Sequence, residues 1–138
     1  MQTKEDSMFN KKKQPPIRSL VADSSQITGD IVFADGLRID GKLTGNVRAQ
    51  PDQPSILVVS ESASVTGELV ADHIIINGRV QGPVRARQML ELQPKAHIVG
   101  DVHYAALEMH QGAMIKGQLC PILDDDEKPT LKLAANNP

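Results

Sequence analysis

Between residues 25 and 119 apolar and polar positions alternate in one recurring seven-residue frame: small, any, aliphatic, any, glycine, any, aliphatic. The frame reads Ser25, Ile27, Gly29, Ile31, then Gly41, Leu43, Gly45, Val47, then Ala63, Val65, Gly67, Leu69. It continues with Gly78, Val80, Gly82, Val84, then Ala96, Ile98, Gly100, Val102, and ends with Ala113, Ile115, Gly117, Leu119. Successive side chains on a strand point to opposite faces, so a period of two gives each frame a dry side and a wet side. The wet positions run from Gln26, Thr28 and Asp30 to Lys116 and Gln118, and only Pro83, Val99 and Met114 depart from polarity. A second alternating pair lies between frames: Leu37/Ile39, Ile56/Val58, Ile74/Ile76, Leu90/Leu92 and Leu107/Met109. Each repeat therefore predicts at least two short strands.

The frame glycines are 16, 22, 15, 18 and 17 residues apart, and the widest interval holds Gln50-Pro51-Asp52-Gln53-Pro54, which reads as a loop inserted between rungs. A coil that closes about every 17 residues bends sharply, and glycine tolerates both the bend and a close backbone approach. A hairpin meander gives no reason for one frame to recur in one direction. Coils stacked in parallel do, because they set like residues above one another. The expectation is an all-β chain: a single-stranded parallel β-helix of about six rungs over residues 23–123. A disordered arm, 1–22, and a disordered acidic, proline-containing tail, 124–138, flank it.

Composition narrows this further. Only two Phe, one Tyr and no Trp accompany the abundant Ile, Leu and Val, which suits a narrow interior built of like aliphatic layers. The net charge of −2 lacks the basic face that counterion release requires, so nucleic acid is not an expected partner. Cys120 is the single cysteine; it allows no disulfide framework and suits a reduced compartment. No apolar run approaches the ~18 residues of a membrane span, and the start of the chain lacks the apolar core of a signal peptide.

Candidate chemistry is sparse. His73, His97, His103 and His110 share no tight spacing, and His97 and His103 fall on outward positions. The run Asp124 to Glu127 lacks the spaced ligands and turn glycine of a calcium loop. No phosphate-binding glycine loop followed by Lys and Ser or Thr occurs. The reading is therefore no catalytic residue, no metal and no cofactor. Function falls to the outer faces, the two ends and the arms.

The first and last rungs of a β-helix expose backbone N–H and C=O groups over a dry interior, which is a template for association. Pro15 and Pro16 precede the first rung and Cys120-Pro121-Ile122-Leu123 follows the last, and neither flank reads as a helical cap. Open ends that pair with other copies are expected. The contact candidates are Ile27, Ile31 and Phe33 at one end and Ile115, Leu119 and Ile122 at the other, with Phe33 foremost.

The Ile27-Thr28-Gly29-Asp30-Ile31 type of rung, repeated between short arms, and the segment Met8-Phe9-Asn10-Lys11-Lys12-Lys13 resemble the bactofilins over about residues 8 to 123. The resemblance implies a right-handed β-helix, polymerisation without nucleotide into filaments lacking overall polarity, and scaffolding of cell shape or envelope growth. Cell-wall enzymes or other envelope proteins would be its clients. It also implies that Met8, Phe9, Lys11, Lys12 and Lys13 form a membrane-targeting segment, holding the chain at the inner face of the cytoplasmic membrane. Either seven residues precede that segment or translation begins at Met8. Three lysines near anionic lipid contribute about 3 kcal/mol, an inserted phenylalanine ~1–2 kcal/mol, and avidity along a filament multiplies the effect.

Two rivals come from other classes. A left-handed β-helix acyltransferase also stacks aliphatic layers, but on a six-residue period. Ile27, Phe33 and Ile39 fit that period and Gly45 breaks it. A monomeric β-helical adaptor would use its polar faces to bind other proteins.

Overall fold

The structure, a computed structural model, describes residues 15–123. Among them the chain forms fifteen strands and no helix. In order these are β1 (Ile17–Val21), β2 (Gln26–Thr28), β3 (Ile31–Phe33), β4 (Asp35–Ile39), β5 (Lys42–Thr44), β6 (Val47–Ala49), β7 (Ser55–Val59) and β8 (Ser64–Thr66). There follow β9 (Leu69–Ile76), β10 (Arg79–Gln81), β11 (Val84–Leu92), β12 (His97–Val99), β13 (Val102–Met109), β14 (Met114–Lys116) and β15 (Leu119–Pro121).

Every pairing is parallel. β2, β5, β8, β10, β12 and β14 stack into a six-stranded sheet, the first face of the coil. The other nine strands form one sheet that folds over a corner to make two faces. The second face holds β3, β6, the opening residues of β9, β11 and β13, and β15. On the third lie β1, β4, β7 and the closing residues of those three long strands. The fold over the corner falls at register shifts between Ala71 and His73 and between Ala86 and Met89. The chain is thus a β-solenoid of six turns with three strand segments per turn.

Strand β1 pairs with β4, Val21 beside Ile39 and Leu20 beside Arg38, so the coil begins at Ile17 and takes in residues expected in the arm. Pro15 and Pro16, which lack amide donors, stand just before this strand and delimit it. The expected loop is present. Residues 50–54 are exposed and carry a turn between β6 and β7, at the second corner of the coil.

The interior is a set of columns. Ile27, Leu43, Val65, Val80, Ile98 and Ile115 line the first face in register. On the third face Leu37, Leu57, Ile74, Leu90 and Leu107 form one column, and Val21, Ile39, Val59, Ile76, Leu92 and Met109 form another. The second face contributes Ile31, Val47, Leu69, Val84, Val102 and Leu119. Its other inward positions are Phe33 and Ala49, then Ala71, Ala86, Tyr104 and Pro121. Alanines fill the middle of this set, and the rings lie towards its two ends.

The frame glycines form the corner between the first and second faces. All six have positive φ, from 134° at Gly29 to 159° at Gly117, a region open to glycine but strained for other residues. Space is the second constraint, because a Cβ on Gly67 would run into the carbonyl oxygen of Gly45 in the turn beneath. The amides then climb the stack: Gly29 donates to Thr44 O at 2.8 Å, Gly45 to Thr66 O at 2.9 Å and Gly67 to Gln81 O at 2.9 Å.

Polar side chains reinforce the corners by bonding to the next turn. The Asn46 amide donates to Asp30 Oδ1 at 2.9 Å, Glu68 N–H to Asn46 Oδ1 at 3.0 Å, and Gln118 N–H to Asp101 Oδ1 at 2.9 Å. At the second corner Ser55, buried to 1% exposure, accepts the Asp72 amide at 2.9 Å. Asp72 in turn holds Arg87 Nε at 2.8 Å.

Candidate functional site

Columns that stop leave their last members in water. In mid-coil Leu92 and Val102 are fully buried, yet Met109, in register above Leu92, is 45% exposed and Leu119, above Val102, is 49% exposed. Leu107, Ala113 and Ile115 are partly buried against the core at this same end. Ile27 and Ile31 are their counterparts at the beginning of the coil, partly buried beneath Leu43 and Val47. All are inward-facing residues exposed because no further turn covers them among the described residues.

The backbone repeats the pattern. Gly100 N–H donates to Lys116 O and Val102 N–H to Gln118 O, each at 2.9 Å. Gly117 and Leu119 occupy the same positions one turn later, where their amides face the end of the coil. At the other end, Cβ atoms on Gly45, Gly67, Gly82, Gly100 and Gly117 would each collide with the corner below, whereas one on Gly29 would meet nothing within 4 Å. The space beneath the first corner is open.

The structure therefore separates the six expected contact residues. Ile27, Ile31, Ile115 and Leu119 sit on the exposed end layers. Ile122 is half-buried beside the last turn, its amide bonded to Tyr104 O at 2.7 Å. Phe33 differs: at 6% exposure it belongs to the core, where it stacks on Ala49. The period of two from Ile31 sets this ring inward, but the sequence did not show that it is covered at the end of the coil. Leu107 and Met109 complete the C-terminal layer, and the period could have found them, since both belong to the alternating pairs of the third face.

Outside the ends, Leu20, Ile17 and Val32 are exposed near the first turn. A shallow groove on the first face, about 260 Å³, is lined by Arg79, Gln81, His97 and Val99 with neighbours from β8, and brings no acid or thiol to His97. On the third face the coil gathers Glu91, Glu108 and His110 within 4.8 Å of one another. That grouping is invisible to linear spacing, but a period of 17 sets Glu108 above Glu91, and alternation puts His110 on the same side. Met8, Phe9, Lys11, Lys12 and Lys13 lie outside the described residues. No helix among the described residues is long and apolar enough to cross a membrane.

A coil of stacked parallel strands whose interior columns and backbone ladders end at both ends without a further turn among the described residues defines a class: a β-solenoid. Residues 19–120 match the Bactofilin family, described as polymer-forming cytoskeletal. The chain belongs to that family and is a polymer-forming cytoskeletal protein. It is also 25% identical over 111 residues to Bactofilin BacO of Myxococcus xanthus (strain DK1622), a match that covers 80% of this chain and 85% of that protein. No solved structure matches the chain significantly.

Proposed function

We propose that copies of this chain stack end to end, first or last turn against its like or its opposite, into filaments that need no nucleotide. The observation that supports this is the exposure of inward-facing residues at the ends alone. Leu119, Met109, Leu107 and Ile115 at one end, and Ile27 and Ile31 at the other, are core positions awaiting a next layer. Fully burying a side chain of this size contributes about 1.5–3 kcal/mol, and these are already partly covered, so each end offers several kcal/mol. Continued strand pairing adds direction and excludes water.

The filament acts as a scaffold at the inner face of the cytoplasmic membrane, organising cell shape or envelope growth. The arm segment Met8 to Lys13 supplies the membrane contact, with Phe9 inserted and Lys11, Lys12 and Lys13 facing anionic lipid. Single arms bind weakly and many arms on one filament bind durably. The protein's role is structural and not catalytic.

The test is Leu119→Arg and Ile31→Arg, each measured by ultracentrifugation and circular dichroism. An arginine on an end layer places a charge in a contact that would otherwise be dry. Both variants should keep the β spectrum of the parent and lose most of the sedimentable polymer. Parent protein that stays monomeric at high concentration, or an unchanged pellet in both variants, contradicts end stacking. For the arm, deletion of residues 8–13 should abolish co-sedimentation with anionic liposomes and preserve filaments. Undiminished pelleting with those vesicles contradicts the membrane role.

A further inference from the structure

We propose that Glu91, Glu108 and His110 form a divalent metal site of the zinc class on the third face, bridging the fourth and fifth turns. The inference is independent of end stacking.

The geometry begins with register. Glu91 on β11 and Glu108 on β13 are direct partners in a parallel pair, so two carboxylates stack on the same face one strand apart. Like charges directly opposite are destabilising, and this pair calls for a countercharge. His110 supplies the third group. Its backbone is fixed at the corner after β13, its amide donating to Leu92 O at 2.9 Å and its carbonyl accepting the Ala113 amide at 3.2 Å. From there Nε2 lies 3.3 Å from Glu91 Oε2 and 3.6 Å from Glu108 Oε2.

One imidazole nitrogen carries at most one proton, so it cannot donate well to two carboxylates at once. A dication between the three groups satisfies all of them. The two separations from Nε2 agree with that use, because donors at zinc bond lengths of about 2.0–2.1 Å in a tetrahedron stand roughly 3.3 Å apart, and the carboxylate oxygens lie within 4.8 Å of each other. Donor type and number narrow the metal. An imidazole with two carboxylates is a mixed nitrogen and oxygen set of three, which suits Zn²⁺ and its transition-metal neighbours. Ca²⁺ takes six to eight oxygens, and Mg²⁺ demands an octahedron of oxygens.

The site is braced from outside the triad. Gln93 Nε2 donates to Glu91 Oε2 at 3.3 Å, and Glu91 is half-buried, with 27% of its side chain exposed. Gln93 is thus a positioning residue, holding a ligand as outer-shell partners do. Three protein ligands leave a fourth position for water. The bound ion would tie the fourth turn to the fifth near the C-terminal end, raising the stability of that end.

The experiment uses the full chain, stripped of metal and titrated with Zn²⁺ by calorimetry and with Co²⁺ by visible absorption. The expected result is one Zn²⁺ per chain, an intense tetrahedral Co²⁺ band, and a higher melting temperature with zinc. His110→Ala and the double variant Glu91→Gln/Glu108→Gln should each lose the Co²⁺ band. Gln93→Ala should keep the band and weaken binding by about tenfold. The double variant His97→Ala/His103→Ala, on the other two faces, should bind as the parent does. If the parent shows no stoichiometric binding at micromolar Zn²⁺, or if His110→Ala keeps the Co²⁺ band, the proposal is overturned. Circular dichroism of each variant without metal separates ligand loss from misfolding.

Discussion

The corner glycines carry the heaviest constraint on any single residue, and their two demands can be told apart. Gly29 and Gly67 share a positive φ, but a Cβ on Gly67 meets the carbonyl of Gly45 while one on Gly29 meets nothing within 4 Å. Backbone strain of this kind costs about 1–3 kcal/mol, and the clash adds to it only at Gly67. Thermal unfolding should show Gly67→Ala strongly destabilised and Gly29→Ala clearly less so; equal losses would mean that φ alone matters. Asp40 offers a second test at this scale. A hydrogen bond from the Ser60 side chain, and then Arg38 Nε at 2.8 Å, hold its carboxyl below the usual value of 3.8. A folded-state value below the unfolded one stabilises above that usual value, and the contribution is lost as pH falls through the lowered value. Asp40→Asn should therefore melt below the parent at neutral pH, with the gap closing in acid. The glycines were legible because they recur; for Phe33 the period of two from Ile31 sets the ring inward, but it carries no sign of whether the end layer leaves that ring covered or exposed.

The strands show where sequence pattern runs out. Alternation exposes the first face and four of the five apolar pairs of the third, since both follow a period of two across several residues. At the remaining pair the inward residues are Leu57 and Val59, not Ile56 and Val58, because the run Ile56 to Val59 is apolar throughout and carries no alternation to set its phase. The second face was read as the tail of the frame. It is a face of its own because the chain turns at each corner glycine and again at the register shifts after Ala71 and Ala86. That second corner has no glycine signal. Hydrogen-bonded and charged side chains hold it, Ser55 and Asp72 on successive turns, with Arg87 above them. Arg87 Nη2 is already buried without a partner, so removing Asp72 would leave Nε without its acceptor as well. Breaking such a pair costs about 3 kcal/mol or more, somewhat less here because 29% of the Arg87 side chain is exposed. Urea unfolding of Asp72→Ala should show a loss of about 2–3 kcal/mol; a loss under 0.5 kcal/mol would assign Arg87 to solvent. The same limit hid the Glu91, Glu108 and His110 group: residues 17 and 2 apart become neighbours only when the coil is closed.

For the whole molecule the repeat does two things at once. It closes a core with no lateral edge, and among the described residues it leaves that core open at both ends, so the same pattern that gives stability also supplies the end layers through which association is proposed. The six-turn solenoid was legible because each turn repeats the same register. Which end residues are exposed was legible only in part, since Leu119 and Ile115 could be placed from the frame while Met109 needed the third face to be recognised. Arginine at an end layer is accordingly a test of assembly. Arginine in place of buried Phe33 is a test of folding, and should lower the melting temperature before it alters polymer length.

Diffraction from aligned filaments, grown without nucleotide, measures the central claim most directly. Strands one turn apart are about 4.7–4.9 Å apart along the coil axis, so six turns advance about 29 Å per copy. End-to-end stacking predicts a strong reflection near 4.8 Å along the filament axis, with an axial repeat of about 29 Å or twice that value. A 4.8 Å reflection perpendicular to the filament axis would mean that copies associate side by side through their faces, and would contradict the account.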